Sequence, residues 1–196
     1  MSKPVPTYGK MWPIYAGYWD AMKASHGREE EIKRVARQLL DHKDRYVDAE
    51  LMTSVPWYMI AVLHWRESSA NFNRQLAQGD PLHKKSVNVP KGRGPFATWE
   101  DSAYDALVSL KGLNKIVDWR LEKILYQCER YNGWGYFQYR NVPSPYLWGA
   151  TTIQMPGKYV ADGKWDKSAW DKQLGCAALL EAMRRGDHSI KFVREE

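Results

Sequence analysis

Several things are scarce in this chain of 196 residues, and each scarcity removes a class of protein. No apolar run approaches the roughly 18 residues that a membrane-crossing helix needs: the most hydrophobic stretch, residues 55–65, is short and ends in Arg66-Glu67. The opening Met1-Ser-Lys-Pro-Val-Pro has none of the apolar core of a secretory signal, so a target outside the cytoplasm calls for a separate route of release. There are only two cysteines, Cys128 and Cys176, with no C-x-x-C pair and no Cys/His cluster of zinc spacing. They read as free core thiols, with a disulfide left open because sequence does not fix the distance between them. Internal repeats, low-complexity tracts and linker-like shifts of composition are also missing. One domain, 1–196, is therefore expected, with the aromatic segment 1–24 packed on it.

What is present is basic and rich in aromatics with a polar edge. The net charge of +6 favours an anionic partner: nucleic acid, acidic lipid or a wall polymer bearing carboxylates. Ten Trp and 12 Tyr stand against 4 Phe, a bias that suits sugar faces and half-buried core positions alike.

Apolar spacing predicts a mainly α protein with at most a small hairpin. One helix follows Ser25 as a possible cap, with Glu29, Glu30 and Glu31 in its opening turns and Ile32, Val35, Ala36, Leu39 and Leu40 on its buried face. Before it, Trp12, Ile14, Tyr15, Tyr18 and Trp19 suggest a short aromatic helix. Another should run from 56 to 67, capped by Thr53 or Ser54, with Pro56 tolerated in the first turn. Thr98-Trp99-Glu100-Asp101 resembles a capping box that starts a third, which Gly112 stops. A fourth buries Leu121, Ile124, Leu125 and Cys128 and ends near Gly133, and a fifth spans about 168–185 on Trp170, Leu174, Ala177 and Ala178. Between them, 78–97 and 141–165 lack periodicity and are long enough to expect function or disorder. A hairpin pairing 151–153 with 158–160 across a turn at 155–157 is expected in the second.

Glu67 is the most informative residue. It stands four positions after Leu63 and seven after Ile60, which puts a carboxylate on the face that should be buried, and it sits at the helix C-terminus. Both circumstances disfavour the anion, as a general acid requires, whereas pairing with His64 at i,i+3 would oppose them. The competing reading is the solvated end of a core helix.

Glu67-Ser68-Ser69-Ala70-Asn71-Phe72 resembles the Glu-Ser-x-x-Phe pattern of the lysozyme-like superfamily, which includes goose-type lysozymes, lytic transglycosylases and phage endolysins. With Gly79-Asp80-Pro81-Leu82, the Trp99–Leu107 segment, Tyr131-Asn132-Gly133 and Ser144-Pro145-Tyr146-Leu147-Trp148, the order is similar to single-domain lysozyme-like proteins of phages and bacteria, over about residues 50–185. The resemblance implies a helical domain with a cleft. It also implies a glycoside hydrolase that cuts the β-1,4 bond between N-acetylmuramic acid and N-acetylglucosamine in peptidoglycan, with Glu67 protonating the leaving oxygen. Ser68, Tyr131, Asn132, Tyr136, Tyr146 and Trp148 are the candidate substrate contacts; for Tyr131-Asn132-Gly133 a helix cap is the alternative, and for the aromatics core packing is. The Gly-Leu-Met-Gln segment typical of transglycosylases is missing.

Asp80 is the candidate second carboxylate, although Asp in Gly-Asp-Pro is also an ordinary turn former; Glu100 and Asp101 fit helix capping. If no second carboxylate takes part, Glu67 serves as acid and then base, and the muramic acid 6-hydroxyl attacks to leave a 1,6-anhydro end. His83, Lys84, Lys85, Lys91 and Arg93 would hold stem-peptide carboxylates or form a solvated positive face. No metal and no cofactor are expected. A monomer acting on peptidoglycan is, made in the cytoplasm and, if phage-encoded, let through to the wall by a holin. The alternatives are a chitinase or chitosanase, a non-catalytic wall-binding module and a nucleic-acid binder, the last lacking any zinc spacing, RNA-recognition signature or basic helical stripe.

Overall fold

A computed structural model describes residues 3–161 and 163–195. In chain order the elements are α1 (Tyr8–Ala21), α2 (Glu29–Asp41), α3 (Lys43–Thr53), α4 (Trp57–Ser68), α5 (Trp99–Tyr104), α6 (Leu121–Asn132), α7 (Pro145–Trp148), the strands β1 (Lys158–Ala161) and β2 (Lys164–Asp166), and α8 (Cys176–Gly186). Wide π-helical turns extend α5 over Asp105–Leu110 and occupy Tyr136–Arg140, and a 3-10 turn covers Leu113–Lys115. The protein is therefore mainly α with one two-stranded antiparallel hairpin. No helix among the described residues is long and apolar enough to cross a membrane.

The chain, read from its sequence as one unit, divides into two compact ones: residues 1–36 with 120–196, and residues 37–119, so that α2 starts in the first and ends in the second. In the first, α1 packs on α6, and α7 packs on α6 and α8. Met11 and Tyr15 of α1 are buried, and Leu121, Ile124, Leu125 and Cys128 form the inner stripe of α6 as their spacing predicts. Gly133, in the positive-φ region, ends α6 and donates its N–H to the Glu129 carbonyl. Cys128 and Cys176 are buried free thiols.

In the second unit α3 packs on α4 and α5. The Thr98 capping box closes as expected: Thr98 Oγ1 accepts from Asp101 N at 3.1 Å and Asp101 Oδ2 from Thr98 N at 3.1 Å. A core of rings follows, with His64 4.4 Å and Phe72 4.9 Å from Trp99 between centroids, and Tyr46 5.6 Å from Phe72. The Arg45 guanidinium lies 3.9 Å from the Phe72 ring centroid while it pairs with Glu100.

Several expectations are corrected. Helix α2 starts at Glu29, and Ser25 lies upstream, its N–H donated to the Ala150 carbonyl. Helix α4 has Pro56 as its N-cap with no side-chain cap, because Ser54 is already spent as the left-handed C-cap of α3, a helix that the sequence reading did not assign. The fifth helix begins only at Cys176, and Trp170 is 54% exposed rather than part of a buried stripe. Asp166 Oδ1 accepts from the backbone N–H groups of Ser168 and Ala169 in a side-chain turn that the chain does not continue into a helix. The hairpin is β1 with β2, pairing Tyr159 with Trp165. Thr151 instead bridges to Ala24.

Candidate functional site

Helix α4 changes character along its length. Trp57 and the run from Met59 to His64 are buried, and Trp65, Arg66, Glu67 and Ser68 are half-buried. The helix ends in two consecutive non-glycine residues in the left-handed region, Ser69 at φ 55 and Ala70 at φ 57. Each costs on the order of 1 kcal/mol. The stop is closed by Ser69 N donating to Trp65 O at 2.9 Å and Ala70 N to His64 O at 3.2 Å. Glu67 thus sits in the last turn of a buried helix, just before a strained reversal.

The chain after the reversal returns to the same place. Gly79, at φ +67, has its α-carbon so close to the helix end that a Cβ would lie 3.1 Å from the Glu67 carbonyl oxygen. Only glycine combines that φ with that approach at little cost. The two sequence motifs that flank residues 69–78 therefore meet: Glu67-Ser68 and Gly79-Asp80-Pro81-Leu82.

The segment 78–97, open in the sequence reading between function and disorder, is pinned by side chains. Buried Asp80 accepts from Val87 N (3.1 Å) and Asn88 N (3.0 Å) through Oδ2, and from Asn88 Nδ2 (2.9 Å) through Oδ1. Buried Gln75 donates to the carbonyls of Pro81 and Lys84, and Ser86 Oγ donates to Pro90 O and accepts from Arg93 N. Such bonds replace the ladder that regular structure would have supplied. Asp80 is thus fully engaged as a loop clamp.

His64, one turn before Glu67, does not act as a cation. Its ring is enclosed by Tyr46, Phe72 and Trp99, and burial pushes its pKa down to about 3. Its Nδ1 is 3.0 Å from the Tyr46 hydroxyl. The expected opposition from His64 at i,i+3 therefore falls away at neutral pH. Among the basic residues, Arg93 forms a two-pronged pair with Asp105 and His83 Nδ1 lies 2.9 Å from the Phe96 carbonyl, whereas the side chains of Lys84, Lys85 and Lys91 are exposed.

Glu67, Ser68 and Asp80 lie in the second unit; Tyr131, Asn132, Tyr136, Tyr146 and Trp148 lie in the first. Ser68 is half-buried, its Oγ 3.4 Å from the His64 carbonyl that it faces as donor. Tyr131 is buried and Asn132 exposed on the last turn of α6. Tyr136 packs edge-on against Tyr159 and Trp165. Tyr146 and Trp148 are 3% and 1% exposed, and Trp148 is packed against Tyr15 and Tyr18.

The sequence reading missed Glu129. It is buried on α6, its Oε2 accepting the Tyr15 hydroxyl at 2.5 Å, and burial raises its pKa to about 7 even though the Tyr15 hydrogen bond works the other way. The signal was there: Glu129 follows Leu121 and Leu125 at steps of four, on the stripe that was correctly placed in the core.

No group of three or more His, Cys, Asp or Glu residues suited to a metal occurs among the described residues. No family model, curated protein or solved structure matches the chain.

Proposed function

We propose that the chain cleaves the glycan strands of peptidoglycan, with Glu67 as the acid that protonates the leaving glycosidic oxygen. The observation that carries the reading is the convergence at the end of α4: a carboxyl side chain in the final turn, two left-handed non-glycine residues after it, and Gly79 closed against its carbonyl. Strain of this kind persists where the surroundings over-determine it, and it concentrates at functional sites. The exposed Lys84, Lys85 and Lys91 suit the carboxylates of stem peptides, in keeping with the net charge of +6.

Hydrolysis and transglycosylation part at the second carboxylate. Asp80 is committed to three hydrogen bonds within its own loop, which favours the route that needs one carboxyl. In that route Glu67 first gives its proton to the leaving oxygen and then, as carboxylate, takes the proton of the muramic acid 6-hydroxyl as that oxygen bonds to the anomeric carbon. The expected products carry 1,6-anhydro ends, whereas a muramidase leaves reducing ends.

Digestion of purified sacculi followed by mass spectrometry of the fragments tests both statements. Removing a general acid costs about 10²–10⁴-fold in rate, so Glu67→Gln should solubilise sacculi at least about a hundredfold more slowly with an unchanged thermal transition. Equal digestion by the folded variant would discard the proposal. Reducing ends would keep Glu67 and transfer the second step to water.

A further inference from the structure

The first unit holds a cleft of about 500 Å³ between α1, the end of α6, the π-helical turn and the start of α7, a size usual for small-molecule sites. Its walls include the rings of Tyr18, Phe137 and Trp148 and the ring of Pro143. Two polar side chains line it that the packing of the unit does not explain. Ser144 is 1% exposed and its Oγ has no hydrogen-bond partner. Glu129 is 2% exposed, holds the Tyr15 hydroxyl, and has no cationic partner among the described residues. A buried hydroxyl left unpaired costs on the order of 1–3 kcal/mol, and a buried carboxylate without a counter-charge costs more. Packing alone would favour an apolar side chain at both positions, so the pair points to a group that enters from outside.

We propose that this cleft binds a small organic cation, an ammonium group carried on an apolar or aromatic body, with Glu129 taking the charge and Ser144 accepting a further N–H. An ammonium brings three donors and no acceptor, which matches two oxygens of this kind, and aromatic walls hold cations through their ring faces. A carboxylate ligand is disfavoured because the cleft is lined by no Lys, Arg or His. Of the titratable groups on the packed elements, Tyr15 and Tyr18 of α1 line the cleft with Glu129, Tyr126 and Cys128 of α6 lie beside Tyr15, and Lys10 of α1 stands 5.3 Å from the centroid of the Phe137 wall ring; α7 contributes only Trp148 to the cleft. Glu129 is the carboxyl that lines the cleft, so its ionisation sets the pH dependence of the affinity. The inference stands independently of the role given to Glu67.

Calorimetric titration of the full chain with benzylammonium, and with benzyl alcohol as its neutral counterpart, tests it. Benzylammonium should bind saturably and about tenfold or more tighter than the alcohol, the difference expected of a charge-assisted hydrogen bond. With the Glu129 pKa near 7, the affinity should fall about thirtyfold from about pH 8 to about pH 5.5, and binding at pH 7 should release about half a proton, read from the dependence of the heat on buffer. Glu129→Gln should bring benzylammonium down to the level of the alcohol and abolish the pH dependence, and Ser144→Ala should weaken it about fivefold. If Glu129→Gln does not fold, the proton release and the pH profile of the unaltered chain decide alone. Equal affinity for the two compounds, a flat pH profile, or no heat from benzylammonium at about 10 mM would each overturn the proposal.

Discussion

The buried Glu129 makes a prediction about stability that needs no ligand. Its carboxyl has a pKa of about 7 in the folded protein against an ordinary 4.5, because burial disfavours the anion. Below about pH 4.5 the folded and unfolded chains both hold the proton and the group contributes no difference. Between 4.5 and 7 the folded chain keeps a proton that the unfolded chain gives up, so stability falls as pH rises; above 7 the whole penalty is present. At 1.36 kcal/mol per unit, 2.5 units amount to about 3 kcal/mol. Glu129→Gln retains an oxygen that can accept the Tyr15 hydroxyl and cannot ionise, so it removes this slope while any constant cost of its amide is the same at every pH. The free energy of the variant relative to the unaltered chain should therefore improve by about 3 kcal/mol from about pH 4 to about pH 8.5. With a urea dependence of about 2 kcal/mol per molar, the difference between the two unfolding midpoints should move by about 1.5 M, followed by tryptophan fluorescence. A constant difference between the midpoints across that range would refute the reasoning, because it would mean that Glu129 titrates alike in both states.

Two further outcomes come from the second unit. His64 has the opposite sign: its folded pKa is depressed from 6.5 to about 3, so its contribution is complete above 6.5 and is lost as pH falls towards 3. His64→Gln should be the less stable protein at neutral pH, but in urea titrations its deficit should shrink by about 3 kcal/mol between about pH 7 and about pH 4. Gly79→Ala should cost about 1–2 kcal/mol, from a left-handed φ and the 3.1 Å approach to the Glu67 carbonyl. In sacculus digestion under conditions where it is fully folded, Gly79→Ala should also be slower than the unaltered chain, since the strain is released by moving the end of α4; undiminished turnover would separate Gly79 from the site.

Local patterns carried well where one helix decides its own limits. Thr98 and Asp101 close a capping box because both partners lie within one turn, and the stripe of Leu121, Ile124, Leu125 and Cys128 faces inward because 3.6-residue periodicity is a property of the chain itself. The same patterns misled where the decisive partner was distant or irregular. Trp170 fits an apolar stripe by spacing, but it is 54% exposed and the helix begins only at Cys176, where Leu174 and Cys176 are buried. The aromatic richness of 141–165 is legible, whereas the burial of Trp148 against α1 is not, since nothing near it in the chain announces Tyr15 and Tyr18.

The sequence by itself determined the helical class, the start of α5, the end of α6, and the position of Glu67 in the last turn of a buried helix, because each depends on contacts within a few residues. Only the tertiary structure decided that Asp80 clamps its own loop, that His64 is neutral among three rings, and that Glu129 meets Tyr15 from 114 positions away. The reason is physical: spacing along one helix fixes which face a side chain shares, but the charge it carries and the partner it finds are set by what another part of the chain brings against that face.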